Sequence, residues 1–196
     1  MSFLPAFETR LIGIAQASPW FMAALVAVRQ LGLNSWCIGA GAVRSLVWDA
    51  LHDFSRPSAL ADIDVAYFDA ATSSPRTDAT FQKQLATILP GVPWEVTNQA
   101  RVHEWFEGYF GHPVQPLLSL EEAVASWPEY ATCVGLSLTP DNVIEVIAPH
   151  GLEDLFGMVV RRNPMRVSID TYRDRVTKKR YTERWPRVQI VPCQGA

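Results

Sequence analysis

Two aspartates, Asp62 and Asp64, stand in a run that otherwise has the make-up of a buried strand: Ile63, Val65, Ala66, Tyr67 and Phe68. β-branched and aromatic residues favour the extended chain, in which side chains at i and i+2 share a face roughly 6.5 Å apart. Two carboxylates held that way on an apolar strand repel each other and are costly to desolvate. A hard divalent cation, Mg²⁺ or Mn²⁺, removes the repulsion because such ions prefer carboxylate oxygens. Taken alone, a pair of this kind more often marks a strand end facing solvent. The segment upstream narrows the choice.

Ser35-Trp36-Cys37-Ile38 reads as a short strand running into Gly39-Ala40-Gly41. The next stretch carries Val43, Leu46, Val47, Ala50 and Leu51 on one helical stripe. Glycines let the backbone approach an anion, and the free N–H groups of a helix N-terminus favour negative charge. The turn is therefore either a plain tight turn or a phosphate cradle. It lacks the Gly-x-Gly-x-x-Gly of dinucleotide sites and the Gly-Lys-Ser/Thr of P-loops. A glycine turn, a helix and then two carboxylates on the next strand are more specific together than either part alone.

Ser18-Pro19 predicts a helix start, with Phe21, Ala24, Leu25 and Val28 at helical spacing and Gly32 as its end. Ser74-Pro75 repeats that signal for a third helix, whose buried face is Phe81, Leu85, Ile88 and Leu89, with Pro90-Gly91 as its stop. Trp94 to Thr97 reads as a strand, followed by a helical segment from Arg101 to Phe106. Ala131 to Leu138 and Val143 to Ile147 read as a hairpin through Thr-Pro-Asp-Asn. Gly151 to Phe156 opens another helix, and Ile169 to Arg180 forms a last, basic one. Alternating strands and helices followed by a hairpin give an α/β (α+β) fold, a mixed sheet flanked by helices.

Residues 161–187 hold ten of the 17 Lys and Arg against three acids, and the rest of the chain is acidic. We therefore expect a domain over 1–164 and a basic C-terminal extension over 165–196, packed on or near it. Such an extension either folds back on the acidic body or meets a polyanion. The longest apolar run, Phe21 to Val28, is far shorter than the ~20 residues of a membrane span. With no positively charged leader and three widely spaced cysteines, the expectation is a reduced, cytoplasmic protein.

Gly39-Ala40-Gly41-Ala42-Val43-Arg44 followed by Asp62-Ile63-Asp64-Val65 resembles the head of the polymerase-beta-type nucleotidyltransferase superfamily. The run Gly-Ala-Val-Arg is similar to the Gly-Gly-x-Val-Arg-Asp start of CCA-adding enzymes and bacterial poly(A) polymerases. It departs from that start at Ala40, in place of the first glycine of the pair, and at Ser45, in place of the aspartate. The wider string resembles a bacterial nucleotidyltransferase-like family of about this length with no established substrate. That likeness also runs through Val47-Trp48-Asp49, Trp94 to His103 and Ala148 to Phe156.

The superfamily implies a third carboxylate on a later strand. Glu95, inside an aromatic and β-branched run, is the natural candidate, and Glu145 in Val-Ile-Glu-Val-Ile is its rival. The resemblance makes Asp62, Asp64 and Glu95 the metal ligands and catalytic residues, with Gly39, Ala40 and Gly41 against the phosphates. Arg44 and Arg101 suit either triphosphate binding or a salt bridge. Asn98 suits a substrate hydroxyl or a helix cap, and His103 a proton acceptor or a structural role. Arg175 and Lys179 form an i,i+4 pair that can close over a triphosphate or meet a nucleic acid. Tyr172, Tyr181 and Trp185, interleaved with those cations, suit base stacking or packing.

The implied reaction moves a nucleoside monophosphate from an NTP to an acceptor, whether small molecule, protein or RNA. The alternative is an inactive nucleotide-binding or interaction module that keeps the fold. A third, weaker possibility is nucleic-acid binding through the basic segment.

Overall fold

The computed structural model describes residues 4–71 and 76–193. The chain opens with α1 (Leu4–Gln16) and α2 (Pro19–Arg29). Then β1 (Trp36–Gly39), α3 (Ala40–Leu51), β2 (Ile63–Tyr67), α4 (Arg76–Ile88) and β3 (Trp94–Asn98) alternate. A 3-10 turn at Gln99–Arg101 leads to α5 (Val102–Phe110) and α6 (Leu120–Ala125), and then to the hairpin of β4 (Gly135–Leu138) and β5 (Ile144–Ile147). The last part carries α7 (Glu153–Phe156), β6 (Val159–Val160), α8 (Ile169–Lys179), α9 (Tyr181–Arg184) and β7 (Gln189–Ile190).

The main sheet runs β3-β2-β1-β4-β5. Only the β2–β3 pair is parallel, so the sheet is mixed, as the sequence predicts. Its two faces differ. One packs Ile38, Val65, Tyr67, Val96 and Leu136 against the helices in the main core. The other gathers Cys37 and Ala66 with Leu120 and Val124 of α6 in a smaller cluster. Strand alternation places Asp64 on the same face as Ala66, where α6 covers the β1 side and leaves the β2–β3 end less filled.

Several local expectations need correcting. Ser18 is the N-cap of α2, but its hydroxyl makes no capping bond; Pro19 at the first position fixes the start. Ile88 is 37% exposed, so the buried face of α4 rests on Leu85 with Phe81 and Leu89 beside it. Residues 131–134 are not strand. Tyr130–Thr132 is a 3-10 turn closed by a capping box in which Glu129 and Thr132 bond each other's backbone. The Ser74-Pro75 helix start lies outside the described residues.

The basic segment supplies core. Tyr172, Tyr181, Trp185 and Val188 belong to the main cluster, and β7 pairs in parallel with β6. The three aromatics are at most 2% exposed, so their role is packing and base stacking is closed to them. Among the described residues no single helix is long and apolar enough to cross a membrane. Most of α1 and all of α2 pass that test only as a pair, and the pair is bent by 91°.

Candidate active site

The parallel register of β2 and β3 sets Asp64 directly opposite Glu95. Asp62 lies one residue before β2, two before Asp64, and its charge acts on Asp64 as that of Glu95 does. Burial first, and then the charges of Asp62 and Glu95, push the Asp64 carboxyl up to about 7, against the opposing pull of Lys179 and Arg175. Cys37 on the neighbouring strand is likewise pushed up, by burial and then by Asp64. Glu145 sits on β5, three strands from β2, exposed and within reach of Ser137. Adjacent strands lie ~4.8 Å apart, so Glu145 stands on the order of 14 Å away and Glu95 is the third carboxylate of this cluster.

The glycine turn closes one side. Gly39 ends β1 as the N-cap of α3. A Cβ there would collide with the Trp127 indole and come within 3.0 Å of the Val134 carbonyl oxygen. Gly39→Ala is therefore expected to destabilise the fold by about 1–3 kcal/mol, the usual cost of overpacking, read as a lower Tm by calorimetry. Ala40 adopts φ 49, the left-handed conformation that favours glycine. Its N–H donates to the Val134 carbonyl at 3.3 Å, and the first turn of α3, from Gly41, carries the N–H groups that have no partner within the helix.

A cavity of about 190 Å³ lies against this turn, lined among others by Ala40, Asp64, Glu95, Thr97, Gln99 and Arg175. Arg175 is held by Glu129, which is 1% exposed. Its Nε donates to Glu129 Oε1 at 2.8 Å and its second terminal nitrogen to Oε2 at 3.2 Å. Burial by itself would raise the Glu129 carboxyl, but the charge and hydrogen bonds of Arg175, with Arg44 and Thr132, hold it below the usual range. A largely basic groove, lined by Lys178, Lys179, Arg180 and Arg184 with Glu183, which pairs with Arg180, reaches Ala59 and Ala61, next to Asp62 in the chain.

The remaining residues singled out in the sequence take other positions. Arg44 is 4% exposed, its guanidinium caged by Trp48, Tyr181 and Trp185 with centroid distances of 5.4, 4.9 and 5.6 Å. It still lies under the turn, with a terminal nitrogen 3.8 Å from where a Cβ on Gly41 would be. Asn98 falls on the core face, one residue past Thr97. Its amide oxygen accepts from the Ala100 and Asp69 N–H groups and its amide nitrogen donates to the Asp69 carbonyl. Arg101 pairs with Glu104 at 2.6 Å. His103 stands on α5 with a buried Nδ1 that has no hydrogen-bond partner among the described residues. None of these last three lines the cavity beside Asp64.

The donor set suits a hard cation: carboxylate oxygens only, one of them half-buried and repelled by two like charges. Among the described residues no group of three His, Cys, Asp or Glu side chains is placed to hold a metal ion by itself. Mg²⁺ bound by one or two carboxylates takes its other ligands from water and substrate phosphates, so an open cluster beside a phosphate-sized turn fits that ion.

The fold is that of polymerase-beta-type nucleotidyltransferase heads. A nucleotidyltransferase family profile matches residues 26–190, and the chain belongs to that family. A solution NMR structure described as a CCA-adding enzyme head domain superposes with a TM-score of 0.79 at 30% identity, over 94% of this chain and 96% of that one. A CCA-adding enzyme with CTP (TM-score 0.52, 14% identity) matches 93% of this chain and 43% of its own length. A tRNA-processing enzyme complex (0.51, 18%) matches 86% of this chain and 43% of its own. These last two share the fold over less than half of their length. No curated protein matches the chain.

Proposed function

We propose that the protein transfers a nucleoside monophosphate from an NTP to an acceptor hydroxyl and releases pyrophosphate. The observation that carries this reading is the in-register pair Asp64 and Glu95, joined by Asp62 and left without enough positive charge, beside the turn that opens α3. Asp62, Asp64 and Glu95 would hold Mg²⁺ or Mn²⁺, which supplies charge neutralisation at the phosphates and a more acidic acceptor hydroxyl. The Gly41 end of α3 offers backbone N–H groups to the polyphosphate, and its dipole favours the same charge. Lys179 and its neighbours line the groove on the Asp62 side and would neutralise the leaving pyrophosphate. Arg175, already committed to Glu129, is a positioning residue that keeps α8 over the carboxylates.

The test is release of labelled pyrophosphate from NTP with Mg²⁺, comparing wild type with Asp62→Asn and Asp64→Asn. Each variant is expected to lose at least about 10²-fold in turnover, the scale seen when one group aimed at developing charge is deleted. Equal turnover by the variants contradicts the mechanism. Nucleotide binding without turnover by the wild type, whatever the acceptor, supports the inactive module instead.

A further inference from the structure

Beyond Glu95 lies a second cavity, of about 220 Å³, which shares Glu95, Thr97, Gln99, Trp127, Pro128 and Arg175 with the one over Asp64. Its remaining walls are mainly aromatic and apolar, from Val102, Trp105, Phe106 and Phe110 of α5 to Val167. The polar exceptions include Arg166, whose guanidinium lies 5.7 Å from the Phe106 ring and donates to the Gln115 carbonyl at 2.5 Å. Its Nη1 has no hydrogen-bond partner among the described residues.

Position assigns this space a role. The reaction proposed above is an in-line displacement, so the attacking oxygen enters opposite the leaving group. With pyrophosphate held at the Gly41 turn and the Lys179 groove, the acceptor comes from the other side of Asp64, which is the Glu95 side. Size and charge then choose the acceptor. A cavity of about 150 Å³ holds benzene, so this one holds a single substituted ring. Of the flanking helices, α5 brings Glu104, paired with Arg101, and Glu107, and α6 brings Glu121 and Glu122, with no lysine or arginine in either. The third, α8, carries Arg173, Arg175, Lys178 and Lys179, of which Arg175 lines the cavity and is held by Glu129. A nucleic-acid path needs cations along the backbone and repels such carboxylates.

We infer that the acceptor is a small hydroxylated molecule with one aromatic or compact apolar ring and an anionic group taken by Arg166. Its hydroxyl oxygen forms the bond to the α-phosphorus as the bond to the β-phosphate oxygen breaks. Pyrophosphate leaves and the hydroxyl proton passes to solvent. The inference rests on the transferase reading, and its test separates the two.

The full chain is titrated with a panel of single-ring hydroxy acids, including 4-hydroxyphenylacetate, with an oligoribonucleotide bearing a free 3′-hydroxyl, and with a non-hydrolysable ATP analogue and Mg²⁺. At least one acid is expected to raise the Tm of wild type by several degrees. It should bind together with the nucleotide and lose at least ten-fold in affinity in Arg166→Met and in Thr171→Phe, which fills the cavity from α8. Both variants should keep wild-type affinity for the nucleotide analogue, which shows that they are folded. Competition between acid and nucleotide overturns the assignment, since the cavity would then hold the base. No response to any acid while the nucleotide binds, or binding of the oligoribonucleotide alone, overturns it as well. Acid binding without nucleotide binding sinks the transferase reading and leaves the ring-sized ligand in place.

Discussion

Asp64→Asn is expected to make the metal-free protein more stable at pH 8 while removing the proposed transfer activity. The Asp64 carboxyl sits at about 7 in the folded chain against an ordinary 3.8. The folded state therefore keeps a proton that the unfolded state releases, and stability falls as pH rises through the window from about 4 to 7. At roughly 1.4 kcal/mol for each unit, the full penalty is about 4 kcal/mol at most. Asparagine cannot ionise, so the variant escapes it. In EDTA, Tm is expected to be higher for Asp64→Asn at pH 8, by at least about 5 °C, and nearly equal for the two proteins below pH 4. A variant that is less stable than wild type at pH 8 would mean that the carboxylate is compensated inside the protein.

Breaking the Glu129–Arg175 pair acts in the opposite sense. Arg175→Met leaves Glu129, 2% exposed in its side chain, as a buried carboxylate facing, among the described residues, Arg44, Thr132 and Tyr181. Removing one partner of a buried pair costs about 3–5 kcal/mol, because the remaining charge is desolvated. A loss of roughly 10 °C in Tm follows for a chain of this size. The sign with pH is set by Glu129. In wild type its depressed carboxyl contributes stability above the ordinary carboxylate range, lost as pH falls through the lower folded value. In Arg175→Met the carboxyl is raised instead, so the deficit grows as pH rises from 4 to 8. The double variant Glu129→Gln, Arg175→Met removes the orphaned charge and is expected to recover part of the loss, as differential scanning fluorimetry across that range would show.

The sheet and the central cluster were legible because their signals are local. Alternation gives the strand, observed over Ile63–Tyr67, and the face of Asp64, while Asp62 falls one residue before it; the apolar stripe after Gly41 gives α3. What was not legible depends on distant partners. Glu129 gives no hint in Pro128-Glu129-Tyr130 that it will bind Arg175 across 46 residues. Trp127 gives none that it will roof Gly39. Tyr181 and Trp185 looked available among cations, yet they close a cage around Arg44 that only tertiary packing forms. Asn98 and Thr97 illustrate a one-residue distinction: alternation sends Thr97 toward the carboxylates and Asn98 into the core, where its amide is spent on backbone. The charge contrast between the body and residues 161–187 was the one long-range signal available. Lys179 and Arg175 acting on Asp64 are its outcome.

On the proposed reading Asp62 and Asp64, with Glu95, share divalent cations with a bound triphosphate. Titration of Mn²⁺ followed by electron paramagnetic resonance, with and without a non-hydrolysable NTP, tests it most directly. Tight Mn²⁺ binding that needs the nucleotide in wild type, and that is lost in Asp62→Asn and in Asp64→Asn, is the predicted result. Mn²⁺ bound equally well by wild type and both variants in the presence of nucleotide would contradict it.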